Sequence, residues 1–244
     1  MRNRLSFPVS AVLLALACST PTTPSATTSS TTTTTTGTAP AWYSKFSSAV
    51  TVSTDGSNVV LRSTGVPDHA SPYWGVGNAL YEAPHAGMQV NPNRISTQSL
   101  VLRVPSAPAT ASPSDTPMGP MGIAVNGVAL FNQYAAGRSP LTNEILTFDR
   151  YNGHPQQTGQ YHYHLEPLWL TARDGEAALI GVLLDGYPVY GPRESSGALP
   201  SGLDTCNGHT HATTDFPSGS YHYHVTTSVP YISGCFAGRP GSIG

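Results

Sequence analysis

The chain has 244 residues, of which 10% are charged, and a formal net charge of −2. With so few charges and no basic patch, nucleic acid is not expected as a partner. The 24 glycines and 22 prolines, and the lack of any sustained helical periodicity, argue against a helical fold and for short strands joined by many turns.

Met1 to Ala17 reads as an export signal. Arg2 and Arg4 form the charged start, Val9 to Ala17 the apolar stretch, and Ala15-Leu16-Ala17 a small-x-small cleavage pattern. The apolar stretch is too short for a mature membrane span. Cys18 follows at once, so a lipid on Cys18 and a membrane anchor are expected, with simple secretion as the alternative. Residues 18–40 are almost entirely Thr, Ser, Pro and Ala, with six threonines at Thr31 to Thr36. Such a segment cannot offset its ordering entropy and is read as a tether. A glycosylated stalk is the other reading. Both place the domain outside the cytoplasm, at the cell surface, in the periplasm or secreted. The expected domain is residues 41–244.

Residues 49–62 alternate around Asp55-Gly56 and predict a hairpin. Gly65-Val66-Pro67-Asp68-His69 follows, His85 falls in a loop, and Ser99 to Val104 reads as a strand. Residues 105–120 form a Pro/Ser/Thr-rich connection. The chain then repeats itself over about 118–170 and 176–232. Gly122 to Phe131, with Asn126-Gly127 at its centre, parallels Gly181 to Tyr190, with Asp185-Gly186. Tyr151-Asn152-Gly153-His154 parallels Cys206-Asn207-Gly208-His209, and Tyr161-His162-Tyr163-His164 returns as Tyr221-His222-Tyr223-His224. The Asn-Gly and Asp-Gly pairs predict two-residue hairpin turns of type I′. The predicted fold is therefore mainly β, one domain of short strands and hairpins with an internal pseudo-two-fold duplication. Thr142 to Phe148 reads as a short helix or turn, and Pro188 argues for an edge strand.

Cys206 and Cys235 bracket the second Tyr-His-Tyr-His run, and an oxidising compartment favours a disulfide between them. A Cys-His metal site around Cys206 and His209 is the competing reading.

Gly-x-Tyr-His-Tyr-His twice, Asp-Gly-Tyr-Pro-Val-Tyr-Gly-Pro at 185–192, Cys-Asn-Gly-His at 206–209, Gly-Val-Pro-Asp-His at 65–69 and the segment Val229 to Phe236 resemble the YHYH-domain proteins. The resemblance covers most of 50–238. It implies an exported protein and brings no settled activity with it. Members similar to this chain often carry cysteines in the first unit as well, and here they are absent.

Side chains alternate along a strand, so each His-x-His pair presents both imidazoles on one face and its tyrosines on the other. The predicted metal ligands are His162 and His164 with His154, and His222 and His224 with His209 or His211; His69, beside Asp68, is a further candidate. Imidazole ligation favours copper or zinc. If the two strands face each other, these side chains would form one larger or dinuclear site. Asp185 and Asp204 are read as turn and solvated loop residues, and Glu166 as solvent-facing. The function expected is transition-metal binding, with or without catalysis. The alternatives are a non-catalytic binding or adhesion module, and metal-free acid/base chemistry on a phosphodiester, suggested by His224-Val225-Thr226.

Overall fold

The computed structural model describes residues 37–244. The expected signal peptide over 1–17, Cys18, and the tether up to residue 36 lie outside the described residues. Val50–Asp55 (β1) and Asn58–Ser63 (β2) form the predicted hairpin, with Asp55 opposite Asn58. Leu100–Pro105 (β3) pairs with β2, and Leu100, Leu102 and Val104 alternate inward. This is the period-2 pattern of a sheet with one face on the core. Thr110–Asp115 (β4) lies within the stretch expected to be only a connection.

Eight strands make the sheet that carries the histidines. In chain order the next elements are Gly122–Ala124 (β5), Ala129–Leu130 (β6), Tyr134–Ala135 (β7), Ser139–Pro140 (β8), Gly153–Pro155 (β9) and Tyr161–Tyr163 (β10). The single α-helix among the described residues, Leu168–Asp174 (α1), follows. Leu179–Leu183 (β11), Pro188–Tyr190 (β12), Gly208–His211 (β13), Ser220–His224 (β14), Cys235–Gly238 (β15) and Ser242–Ile243 (β16) complete the chain. The large sheet runs β13-β14-β12-β11-β5-β6-β10-β9. β16 extends the β1-β2-β3 sheet, β15 pairs with β4, and β7 with β8.

The pairings on either side of the β11–β5 centre match. β10 lies parallel to β6 and antiparallel to β9; β14 lies parallel to β12 and antiparallel to β13. His162 faces His154 across one ladder, and His209 faces His222 across the other. Of the two arrangements left open by the sequence for the His-x-His strands, adjoining or apart, the sheet order gives the second. They sit second from opposite ends of the sheet, with β6, β5, β11 and β12 between them.

Two expectations need correction. The β5–β6 and β11–β12 turns are not type I′. Ala124 accepts from Gly127 N–H and donates to Val128, Leu183 accepts from Gly186 and donates to Tyr187, and only the glycines have positive φ. Three-residue loops closed by a left-handed glycine fit this pattern. Pro188 lies in an inner strand, not at an edge. It is the first residue of β12, and pairing with β14 begins only at Val189, so its missing N–H costs no ladder bond.

The core is continuous beneath both sheets. Leu61, Leu102, Ile123, Leu130, Leu170, Ile180, Val182 and Val189 are fully buried in it, with Tyr161, Tyr163 and Tyr223. The tyrosines of the repeated tetrapeptide therefore anchor each strand from its inner side. Among the described residues no helix is long and apolar enough to cross a membrane.

Candidate metal centres

Each half of the large sheet assembles three histidines and one glutamate. Glu144, His154, His162 and His164 form one cluster; Glu194, His209, His222 and His224 form the other, and the donor atoms within each lie within 4.8 Å of one another. In the first, His162 Nε2 lies 3.1 Å from His154 Nε2 and 3.0 Å from His164 Nε2. In the second, His222 Nε2 lies 3.2 Å from His209 Nε2 and 3.1 Å from His224 Nε2. Glu144 Oε1 is 3.1 Å from His154 Nε2, and Glu194 Oε1 is 3.2 Å from His209 Nε2.

The other ring nitrogens determine what these contacts mean. His162 Nδ1 meets Gln160 O at 3.0 Å, and His222 Nδ1 meets Ser220 O at 2.9 Å. His164, His209 and His224 place Nδ1 on the carbonyls of Asn132, Ser201 and Gly191. His154 Nδ1 meets Thr147 Oγ1 at 2.7 Å, and that hydroxyl already donates to Glu144 O. A carbonyl only accepts, so five of the six Nδ1 atoms carry the proton; for His154 the Thr147 hydroxyl, already spent on Glu144 O, is the shorter Nδ1 contact and Asn91 Nδ2 the longer, at 3.4 Å, and an Nδ1 proton there too leaves each neutral ring a lone pair at Nε2. Each cluster therefore aims three lone pairs and a carboxylate oxygen at one point. Without a cation between them such acceptors repel. A tetrahedral ion with bonds of about 2.0–2.1 Å needs donors about 3.3 Å apart; around one, the 3.0–3.2 Å contacts would widen slightly, and Glu144 Oε1, 3.8 Å from His164 Nε2, and Glu194 Oε1, 3.5 Å from His224 Nε2, would move closer. Nδ1–H bonds to carbonyls are also the usual means of orienting metal-bound imidazoles.

The imidazoles are buried: His162, His164, His222 and His224 are at most 2% exposed. Burial holds His162 well below the ordinary histidine range, aided by the neighbouring His154 and His164. It lowers His164 and His222 to about 4, and it lowers His224. All four are thus neutral at pH 7, the protonation state a ligand needs.

The opposite face of each strand explains the tyrosines. Tyr161 donates to Asp149 at 2.7 Å and Tyr221 to Asp204 at 2.9 Å. These carboxylates also accept the amides of the following turn, Tyr151 and Gly153 in one half, Cys206 and Gly208 in the other. Asp204 is thus a bonded turn residue and not merely a solvated one. A Cβ on Gly153 or Gly208 would collide with the hydroxyl of Tyr161 or Tyr221, so both positions need glycine. The Asp–turn–Tyr lock sets the register that brings His154 opposite His162 and His209 opposite His222.

Six of the eight predicted ligands fall in the two clusters. His211 does not join the second set; it is 54% exposed, and its Nδ1 lies 3.4 Å from Glu194 Oε2. His69 belongs to neither. It is buried behind β10, with Nδ1 on Ala70 O and Nε2 2.9 Å from the Tyr163 hydroxyl. Glu166 also lies outside both sets. Cys206 is no ligand, because it is bridged to Cys235. Glu144 and Glu194 were not singled out from the sequence. A signal existed: between the Gly-centred hairpin and the Asn-Gly-His element, each repeat holds only two acidic residues, Glu144 then Asp149 and Glu194 then Asp204.

The family model described as YHYH protein matches residues 101–199 and 194–238. No curated protein and no solved structure matches the chain. The matched segments contain all eight residues of the two clusters.

Proposed function

The chain belongs to the YHYH protein family, and from that premise we propose that it is a metal-binding domain holding two transition-metal ions, one in each three-histidine, one-glutamate cluster. The observation that carries this reading is the convergence of three Nε2 lone pairs within each cluster, with every Nδ1 proton committed elsewhere. Three imidazoles favour zinc or copper, and the carboxylate supplies a fourth donor and one negative charge. When bound, such an ion supplies Lewis acidity to any donor that reaches it. The matched pairing of the two halves supports descent of both centres from one duplicated unit. Metal-free acid/base catalysis is disfavoured, because paired general acids and bases must face a substrate from different sides. Here the nitrogens face one another. The domain works outside the cytoplasm, on the tether read from residues 18–40; the Cys206–Cys235 disulfide supports that location.

Elemental analysis of residues 41–244, purified without chelator or affinity histidines, tests the reading. Two metal equivalents per chain are expected, and one in the His222→Ala/His224→Ala variant. A chain that takes up no zinc or copper after dialysis against either ion would overturn it.

A further inference from the structure

The two clusters share a ligand set but differ in what lies beside it. A cavity of about 350 Å³ reaches the first cluster, lined by Phe131, Tyr134, Ala136, Glu144, His162 and His164. That volume is at the lower end of small-molecule sites. The Phe131 ring stacks on His162 at 3.9 Å and gives the cavity an apolar wall next to the donors. Glu144 is 25% exposed there, and it is the only charged residue of the lining. In the second cluster Glu194 is 9% exposed, and His211 approaches its outer oxygen, Oε2. The register position matching His211 is Gln156 in the first half, and Gln156 bonds Gln160 instead, leaving Glu144 without that brace. The place of Phe131 is taken by Tyr190, whose hydroxyl is engaged by Thr213 and Asp215.

Resting on the metal-binding reading, we infer that the first centre is a ligand-receiving site: a small monoanion with an apolar body, of the carboxylate class, binds the Glu144–His154–His162–His164 ion through this cavity as a fifth donor, expanding its four-coordinate set, and the second centre does not take it. A divalent ion with three neutral imidazoles and one carboxylate retains a single positive charge. No lysine or arginine lines the cavity, and Arg138, stacked over the Tyr134 ring at 5.5 Å, turns its guanidinium to Thr116 O, so within the cavity the ion itself is the attraction for an anion. The apolar body then lies against Phe131 and Tyr134.

The test uses the domain loaded with Co(II), a spectroscopic probe, and benzoate as ligand. Metal content is measured first. Wild type should hold two equivalents, and benzoate should perturb the visible d–d bands of one of them. The His222→Ala/His224→Ala variant should keep the benzoate response. Ala136→Trp, which intrudes on the cavity from a surface turn and replaces no ligand, should keep both cobalt ions and bind benzoate at least about ten-fold more weakly. Two cobalt ions with no benzoate response, a response at both centres, or unchanged affinity in Ala136→Trp would overturn the inference while leaving metal binding intact. No cobalt uptake would overturn the inference, and no uptake of cobalt, zinc or copper by the wild type would overturn both.

Discussion

Asp149 and Asp204 occupy matching turns but differ in burial, and that difference sets their value to the fold. Asp149 is 2% exposed and accepts from Ser71, Tyr161 and two turn amides. Asp204 is exposed and accepts from Tyr221 and two turn amides. Removing a buried acceptor strands its donors, so Asp149→Ala should lower unfolding free energy by roughly 3 kcal/mol and Asp204→Ala by about 1 kcal/mol. Urea unfolding of both variants checks this; equal losses would count against the turn-lock account. Asp185 supplies a pH test. Burial raises its carboxyl above the ordinary value, although the Tyr223 hydroxyl and the amides of Gly238 and Tyr187 pull it back. The folded chain therefore holds that proton more tightly than the unfolded one. Its contribution is full below the unfolded value and is lost as pH rises through the folded one. The urea midpoint of wild type minus that of Asp185→Asn should thus fall as pH rises through the acidic range, and a difference that grows would refute the assignment.

At the scale of elements, the His-x-His strand works because of its neighbours. β10 and β14 each lie between a parallel strand and an antiparallel one. The antiparallel partner supplies the third histidine, and the chain beyond the parallel partner supplies the carbonyl that orients the last: Asn132 for His164, Gly191 for His224. The Cys206–Cys235 bridge spans 29 residues around β13 and β14. Replacing both cysteines with serine should destabilise the domain by roughly 2–4 kcal/mol. Because Cys206 stands three residues before His209, metal loss should fall first on the second centre. Thermal melts together with metal content per chain would show it, and equal loss from both centres would argue against a local effect.

The whole molecule keeps the two centres apart. Five inter-strand steps separate β14 from β10, which at about 4.8 Å each is about 24 Å. Sites that far apart, sharing no ligand, are expected to load independently. A titration of the wild type should equal the sum of the two single-centre variants, and measurable cooperativity would require a connection through the sheet that these contacts do not supply. The covered Glu194 and the cavity beside Glu144 make the halves chemically unequal despite their common ligand set.

Much of this was legible along the chain because it depends on local geometry. Alternation along a strand puts His162 with His164, and His222 with His224, on one face whatever surrounds them. The recurrence of Asn-Gly-His upstream pointed to His154 and His209, which the fold brings beside the His-x-His pairs. The mainly β fold and the Cys206–Cys235 bridge followed from turn residues and cysteine count. What the tertiary structure alone decided depends on contacts between residues distant in sequence. Strand order separates the two His-x-His strands where one dinuclear site had been an open expectation. Loop paths bring Glu144 and Glu194 to the histidine clusters and leave His211 beside the second. His69 sits against Tyr163, 94 residues away, on the far side of β10. A strand's periodicity fixes which side chains share a face, but packing of the whole chain determines what that face meets.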